Sequence, residues 1–327
     1  MKIIFLSTVI IFSNIILFSQ SFGGGDGLSK ATAYEIWTKA HLEELGNLLS
    51  DIYYNSSGKH FCLMTDIDGI TQTIGYYHFN GHFHGNGKTI TVNMETSLFS
   101  VLGIGGSIDS LTVNGTISNG VAGIVVANMS GSTISNCINN ATIIGSVNYS
   151  IATGGITGSN RGIILNCVNN GSVSSDDWIG GIAGENQAQI ISCINTGKIT
   201  ATNSGTVSSS NTGVGGIVGS SQARNSILNS INIGTVSGQG VVGGIQGNFV
   251  GTPINPASIT NCINYGFVKG PSRVGGIVGD VRAGVRITGC SNFGVVSGDS
   301  ETGCIVGINN GGTLTNNHYD KQMCGGN

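Results

Sequence analysis

The chain has 327 residues and a formal net charge of -3, and only 9% of its residues are charged, where an ordinary globular domain has roughly 25%. With 13 Lys and Arg in all, it has no basic stripe for phosphates, which argues against nucleic acid as a partner. Its 55 glycines do not recur at every third position, so a collagen triple helix is excluded.

Residues 1–21 have the composition of an export signal. An apolar stretch from Ile3 to Phe18 follows Lys2, and small residues end the segment at a cleavage point. The apolar run is short for a bilayer span and is interrupted by polar residues, so a retained anchor is disfavoured. We therefore predict a signal peptide over residues 1–21, an extracellular or cell-surface location, and no membrane span after the signal is removed.

Residues 22–58 are expected to form a linker and an N-terminal cap. Tyr34–Trp37 has the pattern of a short strand, and Thr38 can cap a helix that runs to about Leu49 with its leucines on one face. One helix with one apolar stripe must cover something. The open end of a stacked sheet needs such a cover, because it exposes unpaired backbone groups.

The entry coils are predicted over residues 59–120, with a strand at His60–Ile70 and a turn and strand at Phe79–Thr91. The first of these strands ends in two carboxylates, Asp66 and Asp68. They could form an acid–base pair or bind calcium through oxygen ligands. We favour the simpler interpretation, a strand-end turn in which Asp bonds to backbone.

Three histidines near the second of these strands alternate along the sequence. His78, His82 and His84 have a spacing that can bind zinc. Gly81 and Gly85 favour a turn at this point, however, and nothing nearby supplies a clear base. We therefore interpret the histidines as structural or surface residues and assign no metal ligand.

Residues 121–320 contain seven copies of a repeat, seen most clearly as VGGIVG followed after a connector by ITGCSNFGVVSG. The spacing inside the second element never changes, so length variation is confined to the connectors, as expected when each repeat stacks on the last. Residues 321–327 are predicted as a C-terminal tail. The Ile of the first element recurs at intervals of 26 to 35 residues, as Ile124, Ile156, Ile182, Ile217, Ile245, Ile277 and Ile305.

The second element alternates between two sets of side chains with the period of two that a strand imposes. One set is restricted to small or β-branched residues, Cys and Asn, which predicts that it faces inward. Because neighbouring coils lie about 4.8 Å apart, an inward Asn on every coil can bond to the Asn above and below it. We interpret this column as a structural ladder rather than a ligand site; it comprises Asn139, Asn169, Asn195, Asn232, Asn264 and Asn292, with Cys137, Cys167, Cys193, Cys262 and Cys290.

The other set tolerates many residue types and is predicted to face outward. An exposed apolar stripe often marks a contact surface, although β-branched residues also suit strands for their own sake. Ile233 lies beside the stripe. The candidate binding stripe comprises Ile138, Val168, Ile194, Ile231, Ile263, Tyr265 and Phe293.

Eight cysteines in an exported chain would ordinarily suggest disulfides. Five of them, however, occupy the same position in successive coils, and a separation of about 4.8 Å exceeds the roughly 3.5–4.5 Å that the Cβ atoms of a disulfide need. These five are predicted to be buried free thiols. Cys62, Cys304 and Cys324 lie outside the ladder, where Cys304 can pair with Cys324.

The entry region and the repeats together resemble bacterial exported or cell-surface proteins that carry the GLUG motif. Gly25–Gly120 is similar to that family's short helix, strand ending in DID and FxGxFDGNGKTI stretch, although His84 stands where the family has Asp. The copies from Val121 onward are similar to the GLUG repeat, and Tyr319–Gln322 is similar to its closing YDKQ. The resemblance implies a right-handed parallel β-helix exposed on a bacterial cell, often beside peptidase or glycosidase domains.

The predicted fold is therefore all-β: a right-handed parallel β-helix with one coil per repeat and a small N-terminal helical cap. The predicted function is that of a non-enzymatic secreted or surface-displayed repeat protein, which presents an elongated face for adhesion to, or binding of, a glycan or a surface protein. No catalytic residue, metal or cofactor is assigned.

The alternative is a polysaccharide lyase or glycosidase, and a glycosidase needs two carboxylates that face each other across a groove. The acids of the repeat region fall mostly one per coil in the connectors, and no column is expected to stack two of them. This pattern disfavours the enzyme. The acids are Asp176, Asp177, Glu185, Asp280, Asp299 and Glu301.

Overall fold

The chain folds as a parallel β-solenoid of about nine turns with a single small α-helix, which confirms the predicted fold class. The structure is a computed structural model. It describes residues 22–52, 54–145, 152–202, 213–222, 225–249 and 257–324. The predicted signal peptide lies outside the described residues. Nine turns at about 4.8 Å each give a stack roughly 43 Å long.

Four parallel sheets run along the stack, which we name A to D. Sheet A consists of Tyr34–Ile36, His60–Leu63, His82–His84, Ser107–Asp109, Thr133–Ser135, Ile163–Leu165, Gln189–Ile191, Ser226–Leu228, Ala257–Thr260, Val285–Thr288 and Thr313–Thr315. Sheet C consists of Ile74–Phe79, Phe99–Leu102, Val125–Asn128, Thr157–Asn160, Ala183–Asn186, Val218–Ser221, Gln246–Phe249, Val278–Arg282 and Val306–Asn310. Sheet D consists of Thr153–Gly154, Ile179–Gly180, Gly213–Gly215, Val241–Gly243, Ser272–Gly275 and Ser300–Gly303.

Sheet B carries the second element of the repeat and divides into two branches after its first three strands. The first strands are Ile67–Ile70, Thr89–Met94 and Thr112–Ser118. One branch consists of Ile138–Asn139, Val168–Asn169, Ile194–Asn195, Ile231–Asn232, Ile263–Asn264, Ser291–Asn292 and His318–Tyr319. The other consists of Thr142–Ile144, Val173–Ser175, Ile199–Ala201, Val236–Ser237, Val268–Lys269 and Val296–Ser297.

The N-terminal helix spans Lys39–Leu49 and covers the first turn of the solenoid. The Thr38 side chain caps it by accepting a hydrogen bond from the backbone N–H of His41. Leu42, Leu45 and Leu49 are buried and Leu48 is partly buried, and the helix packs against Ile74–Phe79, the first strand of sheet C. The apolar stripe of the helix thus meets the end of the stack, as its pattern predicted. Two short 3-10 helices, Lys30–Thr32 and Lys321–Met323, complete the helical structure of the described residues.

The entry region differs from its predicted strands. The stretch predicted as one strand, His60–Ile70, forms His60–Leu63 in sheet A and Ile67–Ile70 in sheet B. The solenoid turns a corner between them, so the two halves of one apolar run pack in different sheets. The stretch from Phe79 to Thr91 likewise contributes to three sheets. A period of two cannot reveal such corners, because the inward alternation resumes after each one.

The corner between sheets A and B depends on one left-handed residue in each coil. The backbone φ is 53° at Asn166 and Ser192, and 66° at Gly289, each directly before the ladder position. Asn and Gly occupy most of these positions because they tolerate the left-handed region best, whereas other L-residues lose about 1–2 kcal/mol there. The residue before each Cys is therefore set by backbone geometry rather than by packing.

The Gly-Gly-Ile element exists because two backbones and the Asn column meet inside the coil. A Cβ at Gly181 would overlap the carbonyl oxygen of Gly216 and the side chain of Asn195. Sheet D also packs on sheet C, and a Cβ at Gly184 would overlap the backbone of Thr153. The first motif of the repeat therefore makes room for the second, which explains why the two always occur together.

Candidate binding surface

The inward asparagines form a continuous hydrogen-bonded ladder through six coils. Asn169 Nδ2 donates to Asn195 Oδ1 at 2.8 Å, and Asn195 Nδ2 donates to Asn232 Oδ1 at 2.8 Å. Each amide also bonds within its own coil, as Asn195 does to the carbonyl oxygen of Gly197 at 3.0 Å. All six side chains are fully buried. Their side-chain amides bond to one another, so this column has no hydrogen-bonding group left for a ligand.

The cysteine column lies two residues before the asparagines in each coil and is equally buried. Cys137, Cys167, Cys193, Cys262 and Cys290 are all free thiols. Burial raises the pKa of the Cys167 and Cys262 thiols well above the ordinary value, so they stay protonated and unreactive. Outside the column, Cys304 and Cys324 form a disulfide across the last coil, and Cys62 is free and half-buried.

A second, unpredicted Asn ladder lies in sheet C. Asn128 Nδ2 donates to Asn160 Oδ1 at 2.7 Å, and Asn160 Nδ2 donates to Asn186 Oδ1 at 2.8 Å. These residues are fully buried. The signal was present in the sequence, since each Asn follows the repeat Ile by four residues, but the column ends after three coils, at Ser221.

One exposed column on the outer face of sheet B, directly after the inward Asn of each coil, is polar in the early coils, and its side chains bond to one another. Asn140 donates to Asn114 at 2.8 Å, and Asn170 donates to Asn140 at 2.8 Å. The hydroxyl of Thr196 continues the chain by donating to Asn170 at 2.7 Å. The side-chain groups of this exposed column therefore satisfy one another from coil to coil.

The same column becomes apolar in the next three coils. Ile233, Tyr265 and Phe293 follow Thr196 at the matching position, and their exposed fractions are 52%, 52% and 45%. The rings of Tyr265 and Phe293 stack on each other with centroids 5.4 Å apart. Exposed aromatic rings on consecutive coils form a contiguous apolar surface, which is uncommon on a soluble protein without a partner.

The sequence-derived stripe therefore divides into two parts. The column Ile138, Val168, Ile194, Ile231 and Ile263 is in register from coil to coil and only half-buried, so it faces outward. Only its last members adjoin exposed aromatic rings. Sequence reasoning missed Phe267 and Val295, which are 38% and 43% exposed and lie two residues beyond Tyr265 and Phe293 on the same face. Each of them follows the inward Asn of its coil by three residues, and this odd spacing, which predicts an outward side chain, was the available signal. We call Ile233, Tyr265, Phe267, Phe293 and Val295 the apolar face.

A linear chain of hydrogen-bonded side chains lies at the other end of the molecule, on the outer face of sheet A. Asp109 Oδ2 accepts a hydrogen bond from His84 Nδ1 at 2.6 Å, and Nε2 of His84 is hydrogen-bonded to His60 Nδ1 at 3.0 Å. His82 stacks on His60 with ring centroids 4.4 Å apart, and its Nδ1 bonds to the Ser107 hydroxyl at 2.8 Å. Both nitrogens of His84 are thereby occupied by protein partners.

Two histidines of this cluster, His60 and His82, are poorly suited to carrying charge. Burial lowers the pKa of His60 and His82, and the neighbouring imidazoles lower it further. Burial alone would raise the pKa of Asp109, but the hydrogen bond and charge of His84 bring that pKa below its usual value. Lys30, 3.6 Å from the Asp109 carboxylate, acts in the same direction. The lowered pKa values of His60 and His82 favour their neutral forms, and the lowered pKa of Asp109 favours its ionised form.

The residues considered for metal binding do not converge. His78 is exposed in sheet C, away from His82 and His84 in sheet A. Asp66 accepts the backbone N–H of Thr89 in the next coil at 2.8 Å, whereas Asp68 is exposed. Within the described ranges, no group of three or more His, Cys, Asp or Glu side chains is arranged to hold a metal ion.

Two acids of the repeat region occupy a matching position, contrary to expectation. Glu185 and Asp280 lie in strands of sheet C, in one register column, with Ser220 and Asn248 between them. Three coil intervals separate them by about 14 Å, beyond the roughly 5–9.5 Å between the two carboxyl groups of glycosidases. Both are nearly buried, and Asp280 pairs with Arg273 at 3.5 Å. They were missed because the sequence does not reveal which connectors are strands.

The chain is thus a parallel β-solenoid protein in which one exposed column of sheet B changes from polar to apolar along the stack. A 1.30 Å crystal structure of a Bacteroides ovatus protein described as a "putative immunoglobulin A1 protease" has a similar fold, with a TM-score of 0.60 and 22% sequence identity. The match covers 91% of this chain and 87% of that one, and at this identity it concerns the fold alone. No family model and no curated protein matches the chain, so the GLUG resemblance stays a prediction. None of the helices in the described ranges has the length and apolar character needed to cross a bilayer.

Proposed function

We propose that this protein is a non-enzymatic binding scaffold, exported or displayed at a cell surface, that presents its apolar face to a glycan or protein partner. The observation that carries the proposal is the change within one column, from Asn140, Asn170 and Thr196 to Ile233, Tyr265 and Phe293. Both halves occupy equivalent positions, directly after the strands of the first branch, and their backbone N–H groups bond in the same way to the preceding coil. Folding therefore does not require the apolar residues, and a partner accounts for them.

The solenoid supports this role by holding the apolar face rigidly. Beneath Tyr265 and Phe293 lie Asn264 and Asn292, whose side chains bond to each other at 2.8 Å inside the coil. A binding surface on such a base loses little conformational entropy on association, because its backbone is already ordered. Polysaccharide cleavage remains the alternative, but the distance between Glu185 and Asp280 does not favour it.

The experiment replaces Ile233, Tyr265 and Phe293 together with Lys. The exposed side chains leave the core untouched, so circular dichroism and the thermal melt should stay close to wild type. Binding to a panel of immobilised polysaccharides and extracellular matrix proteins should fall by at least about tenfold, because three apolar anchors are lost.

The matched control replaces Asn140, Asn170 and Thr196 with Lys, at the same positions of the polar coils. This variant should bind like wild type. Equal loss of binding in both variants would show that added charge, rather than the apolar face, is responsible. Unchanged binding in both would refute the proposed face.

A further inference from the structure

A polar groove borders the apolar face. It has a volume of about 390 Å³ and crosses four coils on the outer surface of sheet B, where the second branch leads into sheet D. One wall is a register column, with Thr200 beside Ser237, Ser237 beside Lys269, and Lys269 beside Ser297. Three intervals of about 4.8 Å make the groove roughly 14 Å long, parallel to the solenoid axis.

The opposite wall comes from the corner that follows each strand. It is formed by Gln239, Pro271 and Asp299. The carbonyl oxygen of Pro271 accepts the backbone N–H of Asp299 at 3.0 Å, which fixes this wall to the neighbouring coil. Gly238 and Gly270 line the groove between the walls, where a Cβ would overlap valine side chains of the interior. The groove is therefore a product of the repeat and not of a mobile loop.

The chemistry of the groove is that of a neutral, hydroxyl-rich ligand. It offers three hydroxyl groups and the amide of Gln239, each able to donate and accept hydrogen bonds. Lys269 and Asp299 supply one charge of each sign, and neither forms an ion pair with another described residue, so the groove has no net charge. The groove therefore does not favour a ligand with a large net charge of either sign.

An extended peptide fits the groove less well than a sugar chain. Peptides that bind to sheets usually add a strand to a free edge. Here the backbone N–H groups are already paired between coils, as Val236 N–H is with Phe267 O at 2.8 Å and Val268 N–H is with Val295 O at 2.9 Å. Only side chains remain to bind a ligand: the register column with its hydroxyl groups on one wall, and Gln239, Pro271 and Asp299 on the other.

We propose that the groove lined by Thr200, Ser237, Lys269 and Ser297 binds a short stretch of a neutral glycan, laid along the solenoid axis. The sugar hydroxyls exchange hydrogen bonds with the side chains of the two groove walls. This inference rests on the proposed binding function and deepens it, because it selects glycan over protein as the partner.

The test uses the full chain and a microarray of neutral polysaccharides, namely cellulose, chitin, xylan, mannan and mixed-linkage glucan, followed by calorimetry with the matching oligosaccharide. The groove variant combines Thr200→Ala, Ser237→Ala and Ser297→Ala. The control variant combines Thr142→Ala and Ser172→Ala, which remove one exposed and one half-buried hydroxyl at the matching position of two earlier coils, outside the groove.

Wild type and control should bind at least one of these glycans, and the groove variant should bind it about tenfold more weakly with an unchanged melt, because hydrogen bonds are lost without loss of packing. No glycan binding by wild type, or equal binding by the groove variant, overturns the inference. If wild type binds only a matrix protein through the apolar face, the proposed binding function is supported and glycan binding in the groove is refuted. If the glycan needs the groove hydroxyls but not Ile233, Tyr265 and Phe293, the groove stands and that column falls.

Discussion

Replacing Asn195 with Leu tests the internal ladder, because Leu has nearly the same shape but no polar atoms. Three hydrogen bonds disappear: from Asn169 Nδ2 at 2.8 Å, to Asn232 Oδ1 at 2.8 Å, and to Gly197 O at 3.0 Å. The Asn169 amide keeps its bond to the carbonyl oxygen of Gly171 at 2.9 Å, so it is not stranded completely.

The magnitude follows from the groups that lose their partners. Asn232 Oδ1 and Gly197 O each lose a buried donor, at about 1–3 kcal/mol apiece. The greater apolar character of Leu offsets part of this loss. We expect the free energy of unfolding to fall by about 3 kcal/mol, which lowers the melting temperature by roughly 6 °C for a chain of this size. Because neighbouring coils depend on each other, the loss should spread to both adjacent repeats.

The assay combines thermal melts with hydrogen exchange of the coils that contain Asn169, Asn195 and Asn232. The control is Asn170→Leu, which breaks two side-chain hydrogen bonds between coils on the exposed outer face. Water replaces those bonds, so the control should change the free energy of unfolding by about 0.5 kcal/mol or less. A melting temperature for Asn195→Leu within about a degree of the control's would refute the view that the buried ladder is stabilising.

Acid should destabilise the N-terminal end of the solenoid. The pKa values of His60 and His82 are lowered in the folded state, so the unfolded chain binds more protons below about pH 6.5. The stability that is present above that pH is therefore lost as the pH falls. Melts at pH 7.5 and 5.0 should differ less for His82→Gln than for wild type, and an equal difference would contradict this account. At the corner, Ser192→Val should lower the free energy of unfolding by about 1–2 kcal/mol relative to Ser192→Gly, since φ is 53° there; denaturant unfolding checks the order, which a more stable Val variant would reverse. Gly181→Ala should cost about 3 kcal/mol, because its Cβ would overlap Gly216 O and Asn195, and a melt like that of wild type would show that the coil can yield.

Much of the architecture could be predicted from the sequence because the repeat imposes the same local rules seven times. The constant spacing between Cys and Asn fixed the strand parity, and hence the inward column of Asn195 and its neighbours. The helix was predictable too, because Thr38 and the leucines up to Leu49 follow local rules of capping and periodicity. These are properties of adjacent residues, which a linear pattern records directly.

The tertiary structure alone decided which distant residues meet. His60 contacts His84, and His84 contacts Asp109, only because three coils of sheet A stack in register. His78 is closer to His84 in the sequence than His60 is, but it lies in another sheet. Glu185 and Asp280 share a column although 95 positions separate them in the chain. The polar groove likewise needs four coils side by side. Connector lengths vary without altering strand register, so the sequence separation of two residues does not predict whether they are in contact. These contacts are determined by the backbone pairing of successive coils.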